Sequence, residues 1–212
     1  LTLFSGQTAQ HANDNWSAAA NADAIASTAR TLGAFSLPAD SLDAAMLVDL
    51  PPGGYTTHLT GVGGASGVVL FELYRGAEPQ SRLINISARG HAGTGASIMI
   101  PGFTIVGNGA MTLLLRAVGP SLARFTVANL LADPVLTVFE GPKPILTSDD
   151  WGAAADVAGL RAAQAAVHAF ELDDESLDAA TLVTLMPGSY TVQATGQGGT
   201  TGHVLVEVYE VP

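Results

Sequence analysis

Met186-Pro187-Gly188-Ser189-Tyr190-Thr191-Val192-Gln193-Ala194-Thr195 is the stretch that decides the fold. Pro187-Gly188 is a turn signal, and the residues behind it alternate. Tyr190, Val192 and Ala194 point one way; Thr191, Gln193 and Thr195 point the other. Period-two alternation behind a turn marks a half-buried strand, because successive side chains leave opposite faces of the pleat. The same text stands earlier as Pro52-Gly53-Gly54-Tyr55-Thr56.

Working outward, the match extends over a long segment without a gap. Leu136-Thr137-Val138-Phe139 repeats Leu1-Thr2-Leu3-Phe4, Asp149-Asp150-Trp151 repeats Asp14-Asn15-Trp16, and Ser176-Leu177-Asp178-Ala179-Ala180 repeats Ser41-Leu42-Asp43-Ala44-Ala45, always 135 positions later. Roughly four positions in ten are identical, which makes this a true internal repeat. We call residues 1–77 the first A segment, 82–135 the B segment and 136–212 the second A segment. Leu1 falls inside a strand that the second copy has entire, so a processed or trimmed product is expected.

Each A segment reads as a short strand, a polar loop ending at the Asp-x-Trp triplet, one amphipathic helix, and further strands. Val157, Leu160 and Val167 share one helical face, as do Ile25, Ala29 and Leu32, with Asp156 and Asn21 at the starts. Strands are expected at Ala45 to Leu50, from Tyr55 to Leu59, and around Val69, Phe71 and Leu73, whose counterparts are Val204, Val206 and Val208. The B segment offers Ile84 to Arg89, Ile98 to Ile100, Phe103 to Val106, and Leu113 to Val118, an apolar run broken only by Arg116. An A segment thus carries about four strands and B about three. A sheet must bury one face against another layer. B with the second A reaches the size of a β-sandwich, and the first A is left over. The expected domains are therefore 1–78, incomplete or completed by a partner, and 79–212, complete.

Composition narrows the function. A hydrophobic share of 48% supplies a core, while 24 Gly and 11 Pro suit short strands and tight turns. The net charge is −11, with only 8 basic residues, so nucleic acid and anionic membrane surfaces are not expected partners. Without Cys there are no disulfides, thiolate metal sites or Cys nucleophiles. No apolar run approaches transmembrane length.

The run from Leu136-Thr137-Val138-Phe139 through Ser148-Asp149-Asp150-Trp151, Met186-Pro187-Gly188-Ser189-Tyr190-Thr191-Val192 and Gly199-Thr200-Thr201-Gly202 to Val206-Glu207-Val208-Tyr209 resembles the bacterial pre-peptidase C-terminal (PPC) type of domain. The first A segment matches the same pattern. The B segment, from Arg82-Leu83-Ile84-Asn85 to Val118-Gly119-Pro120-Ser121-Leu122, is similar to the front half of repeats in large secreted bacterial surface proteins. The resemblance implies an all-β fold of jelly-roll or Ig-like β-sandwich repeats, each with one short inserted helix. It also implies a secreted or cell-surface location and no catalysis. The expected function is a structural module of a fibre or scaffold, partnered by itself or by adjacent repeats. A carbohydrate-binding or adhesion module attached to a secreted enzyme is the alternative, with a glycan as partner.

Two groups of residues are candidates for a site. Asp149, Asp150 and Asp156, with Asp14 in the first copy, form oxygen-rich loops of the kind calcium takes, and PPC-like domains sometimes hold calcium near such a loop. No other cofactor is expected. The same aspartates also serve as turn residues bonding to their own backbone. Trp16 and Trp151 are either platforms for sugar rings or plugs at the sandwich end. Arg82, Arg89 and Arg116 are expected to pair with Glu72, Glu207 and Asp133 and to fix strand register. The five His show no metal spacing, and Ser121 lacks a nucleophile-elbow context.

Overall fold

The computed structural model describes residues 1–76 and 82–212. The chain divides into two units, Leu1–Arg82 and Leu83–Pro212. The expected boundary at 78/79 lies outside the described residues.

In the first unit, β1 (Thr2–Ser5) and β2 (Thr8–Ala12) form a hairpin, α1 (Ala22–Leu32) follows, and β3 (Thr56–His58) pairs with the other side of β1. Ile25 anchors α1, and Gly33 ends it at a positive φ of 77°, which costs glycine nothing. Among the described residues of this unit the buried apolar ones are Leu3, Trp16 and Ile25. The expected strands at 45–50 and around 69–73 are absent: residues 44–50 and 65–76 carry no strand.

The second unit holds β4 (Asn85–Ala92), β5 (Gly102–Ile105), β6 (Met111–Val118), β7 (Pro134–Glu140), β8 (Lys143–Ser148), α2 (Val157–Ala166), β9 (Ala179–Leu185), β10 (Gly188–Gly196) and β11 (Gly202–Glu210). They make two four-stranded sheets, β4-β11-β6-β9 and β5-β10-β7-β8, with antiparallel pairing throughout. For eight strands in sequence, this is the strand order of a jelly roll. The expected strand at Ile98 to Ile100 reduces to a single bridge between Met99 and Ala194.

The alternation of the sequence sets the layers. Leu113, Leu115 and Ala117 of β6 meet Leu136, Val138, Val192, Val204 and Val206 between the sheets. The intervening Leu114 and Val118 face outward, where Trp151, Leu160 and Leu172 cover them. Strand β6 is thus buried on both faces, which explains its nearly continuous apolar run. Its outward row also carries Arg116.

The two A segments share one register. Thr2, Leu3 and Phe4 pair with His58, Thr57 and Thr56, as Thr137, Val138 and Phe139 pair with Gln193, Val192 and Thr191. The bulge between Leu3 and Phe4 recurs between Val138 and Phe139. Gly63 and Gly64 turn the chain at φ 64° and 80°, Gly198 and Gly199 at 64° and 79°.

Comparing the copies shows why the first stops short. Counterparts of β7, β8 and β10 form in the first unit, and β7 pairs with both of the others. Counterparts of β9 and β11 do not form. In the second unit β11 lies between β4 and β6, and β9 pairs with β6 within its sheet. Both neighbours of β11 and the sole sheet neighbour of β9 belong to B. An A segment therefore builds the strands whose partners it contains and leaves open those whose partners only B supplies.

Candidate functional site

The joint between B and the second A centres on Arg116. Its side chain is fully buried, and Glu207, on the neighbouring strand β11 at the paired position, is 4% exposed. Arg116 Nε donates to Glu207 Oε2 at 2.8 Å, and Nη2 donates to the same oxygen. Nη1 donates to Gln164 Oε1 (3.1 Å) and to the Phe170 carbonyl (2.6 Å). The guanidinium lies 4.5 Å from the centre of the Phe170 ring. Tyr209 Oη donates to the other Glu207 oxygen at 2.7 Å. Burial, then the adjacent Glu207 charge and hydrogen bond, push the Tyr209 hydroxyl up, against an opposing pull from Arg116. Every polar group of the pair has a partner, as a buried ion pair requires.

A second tie between B and A lies at the end of β6. Asp178 is fully buried. Its carboxylate accepts from the Gly119 N–H (2.7 Å), the Ser121 N–H (3.2 Å) and Ser176 Oγ (2.7 Å). Ser121 Oγ accepts in turn from the Asp173 N–H at 3.1 Å. Ser121 is a structural hydroxyl locked in this network.

Carboxylates also gather where β7 begins and β8 ends. Asp133, Asp149 and Asp150 each offer an oxygen, and these oxygens all lie within 4.8 Å of one another. In each residue Oδ1 is buried without a hydrogen-bond partner. The cluster is held from behind: the Gln197 N–H donates to the Asp133 carbonyl (2.8 Å), and Gln197 Nε2 donates to Asp149 Oδ2 (3.1 Å). Burial, followed by the charges of Asp149 and Asp150 and contact with the Asp149 carboxyl, raises the Asp133 carboxyl above the ordinary carboxylate range. Two oxygens bound to one calcium ion at about 2.3–2.6 Å stand no more than about 5 Å apart, and the spacing of these three is within that limit. The donor set is all oxygen, which suits a hard divalent cation.

No protein-family model and no curated protein matches the chain. Among solved structures, the chain is similar to the pre-peptidase C-terminal domain of a collagenase from Bacillus anthracis, at 8% sequence identity and a TM-score of 0.35. The match covers 59% of this chain and 89% of that one. The jelly-roll strand order rests on the pairing of this chain's own strands.

The structure redistributes the expected ligands. Asp149 and Asp150 come together. Asp156 does not join them: it caps α2, its carboxylate accepting from the Gly159 N–H at 2.8 Å. Asp14 lies exposed in the first unit, with Asn15 where the second copy has Asp150. Asp133, expected as an arginine partner, instead completes the acidic cluster. Sequence gave no local signal for it, because it lies 16 residues before Asp149 and approaches only when β7 and β8 pair.

Trp16 and Trp151 are not sugar platforms. They are 9% and 1% exposed, and each indole N–H is bonded, Trp16 to the Pro38 carbonyl (3.0 Å) and Trp151 to the Asp173 carbonyl and Ser176 Oγ (both 3.2 Å). The ion-pair expectation holds for Arg116 with Glu207.

Proposed function

We propose that this chain is a non-enzymatic, extracellular structural module, part of a fibre or scaffold in which successive modules share strands. One observation carries the reading: the A segment forms only the strands it can pair internally, while the same segment backed by B closes into a jelly roll. Val204, Val206 and Val208 are buried in the second unit, whereas Val69, Phe71 and Leu73 are 65%, 43% and 56% exposed. These side chains are about half exposed, so covering each is worth about half of the 1.5–3 kcal/mol of a full burial, and a module that receives B strands gains a drive to associate. Among the described residues no helix is long and apolar enough to cross a membrane.

Tandem arrays test this. Chains extended by one, two and three further B–A pairs are expected to lengthen by a constant step per pair in small-angle scattering, as stacked modules do. A maximum dimension that instead grows as in a flexible string of independent beads would remove the fibre reading.

A second reading attaches to Asp133, Asp149 and Asp150. We infer that they hold a divalent cation, calcium by donor chemistry, that clips the start of β7 to the end of β8. The three unpartnered buried oxygens favour it. Calcium is expected to raise the melting temperature of the second unit, with a gain of about 2.7 kcal/mol once free calcium stands about a hundredfold above Kd. Asp133→Asn should act in opposite directions. In EDTA it raises the melting temperature, since it removes one of three crowded negative charges; in calcium it abolishes most of the response. Calorimetric titration and a thermal melt read both, and a melting temperature blind to calcium sinks the reading.

A further inference from the structure

The reading of shared strands leaves open which strands the first unit accepts, and the repeat names them. We infer that residues 35–76 are the receiving half of a joint whose donor is a B-type segment of another module: three strands, the last bearing an arginine at mid-strand and ending in Gly-Pro-Ser. This inference rests on the strand-sharing reading above.

The residues that would receive the donor are present in the first unit, and they are exposed where the second unit's are covered. Glu72, Tyr74 and Phe35 stand 135 positions before Glu207, Tyr209 and Phe170, the residues that surround Arg116. Tyr74 Oη already donates to Glu72 Oε1 at 3.1 Å, as Tyr209 does to Glu207. Yet Phe35 and Tyr74 are 57% and 42% exposed. Acceptor and tyrosine already stand together, Phe35 is exposed, and among the described residues no guanidinium is bonded to Glu72 as Arg116 is to Glu207.

The turn that ends the donor has its acceptor too. Asp43 is the counterpart of Asp178, whose carboxylate takes the N–H groups of Gly119 and Ser121. The Asp43 carbonyl holds the Trp16 N–H at 2.8 Å, as the Asp178 carbonyl holds that of Trp151. The local frame is therefore the same. Ser41 Oγ is buried without a partner, where its counterpart Ser176 Oγ donates to Asp178. One acceptor is missing: Ala29 stands where Gln164 would be.

Strand register follows from the second unit. Val204, Val206 and Val208 lie opposite Gly90, Ala88 and Ile86 on one side, and Val206 and Val208 opposite Ala117 and Leu115 on the other. Val69, Phe71 and Leu73 would lie between the first and last donor strands in the same way. A second copy of this chain is a poor donor. In residues 82–212 every B strand is already paired with a strand of the A segment behind it. Lending that B would open one unit for each unit it closed.

The experiment is to place residues 82–135 ahead of Leu1, so that Val135 runs into Leu1 as it runs into Leu136, and to follow amide exchange by mass spectrometry. Residues 67–75 are expected to exchange about 100-fold more slowly than in the parent chain, as amides in a closed sheet do. R116E in the added segment alone should return them to the parent rate. Peptides from 202–210, unaltered in every version, confirm that the original sandwich is folded. Exchange at 67–75 as fast as in the parent overturns the inference, and so does slow exchange that survives R116E. Slow exchange in the parent at high concentration would seat a second copy on this face and also overturn it. The outcome separates from the fibre reading: protection at 67–75 without stepwise lengthening of the arrays keeps the joint and removes the fibre, and the reverse removes the joint alone.

Discussion

Arg116→Met is expected to cost the second unit about 3–5 kcal/mol, the penalty for leaving one member of a buried ion pair alone. Methionine fills much of the volume but donates nothing. It strands the Glu207 carboxylate, 4% exposed, together with the Gln164 oxygen and the Phe170 carbonyl. Tyr209 Oη remains as Glu207's neutral partner and does not replace the charge. Urea denaturation measures the loss. The double variant R116M/E207L should recover most of it, because removing both charges removes the stranded one. A single variant costing under about 1 kcal/mol would mean that Glu207 is solvated in solution and that the joint is not closed as described.

Trp151→Ala should be nearly as severe, about 3–5 kcal/mol. The indole is 1% exposed and packs with Leu114, Leu160 and Leu172, tying the Ala-rich helix to the outer face of the sheet. Its N–H bonds to the Asp173 carbonyl and Ser176 Oγ are lost with it. A thermal melt of the second unit reads the effect. The matching Trp16→Ala should cost clearly less. Trp16 holds the same place in the repeat, but the apolar residues buried with it in the first unit are few. Equal losses from the two substitutions would show the first unit to be as well packed as the second.

Much of this was legible in the sequence, and particular residues show why. Tyr190, Val192 and Ala194 announced a strand by period alone, and the structure buries all three. The helical faces of Ile25 and of Val157 with Leu160 were equally plain, because helix and strand periods are local properties of the chain. Arg116 stood out as the one charge in an apolar run. The acidic loop was half visible: Asp149 and Asp150 lie side by side, but Asp156 was drawn in by proximity in sequence and proved to be a cap. Asp133 was read only as an arginine partner, since only the pairing of β7 with β8 brings it to the other two carboxylates.

The amino-acid order by itself determined the repeat, the strand faces and the helix in each copy. Tertiary structure alone decided which of those strands form. Leu182 to Leu185 and Leu47 to Leu50 carry similar text, yet one stretch is a strand and the other is not. A strand is held by hydrogen bonds to a neighbour that its own sequence does not contain. Its alternation fixes which side chains would be buried, and only the presence of the neighbour fixes whether they are.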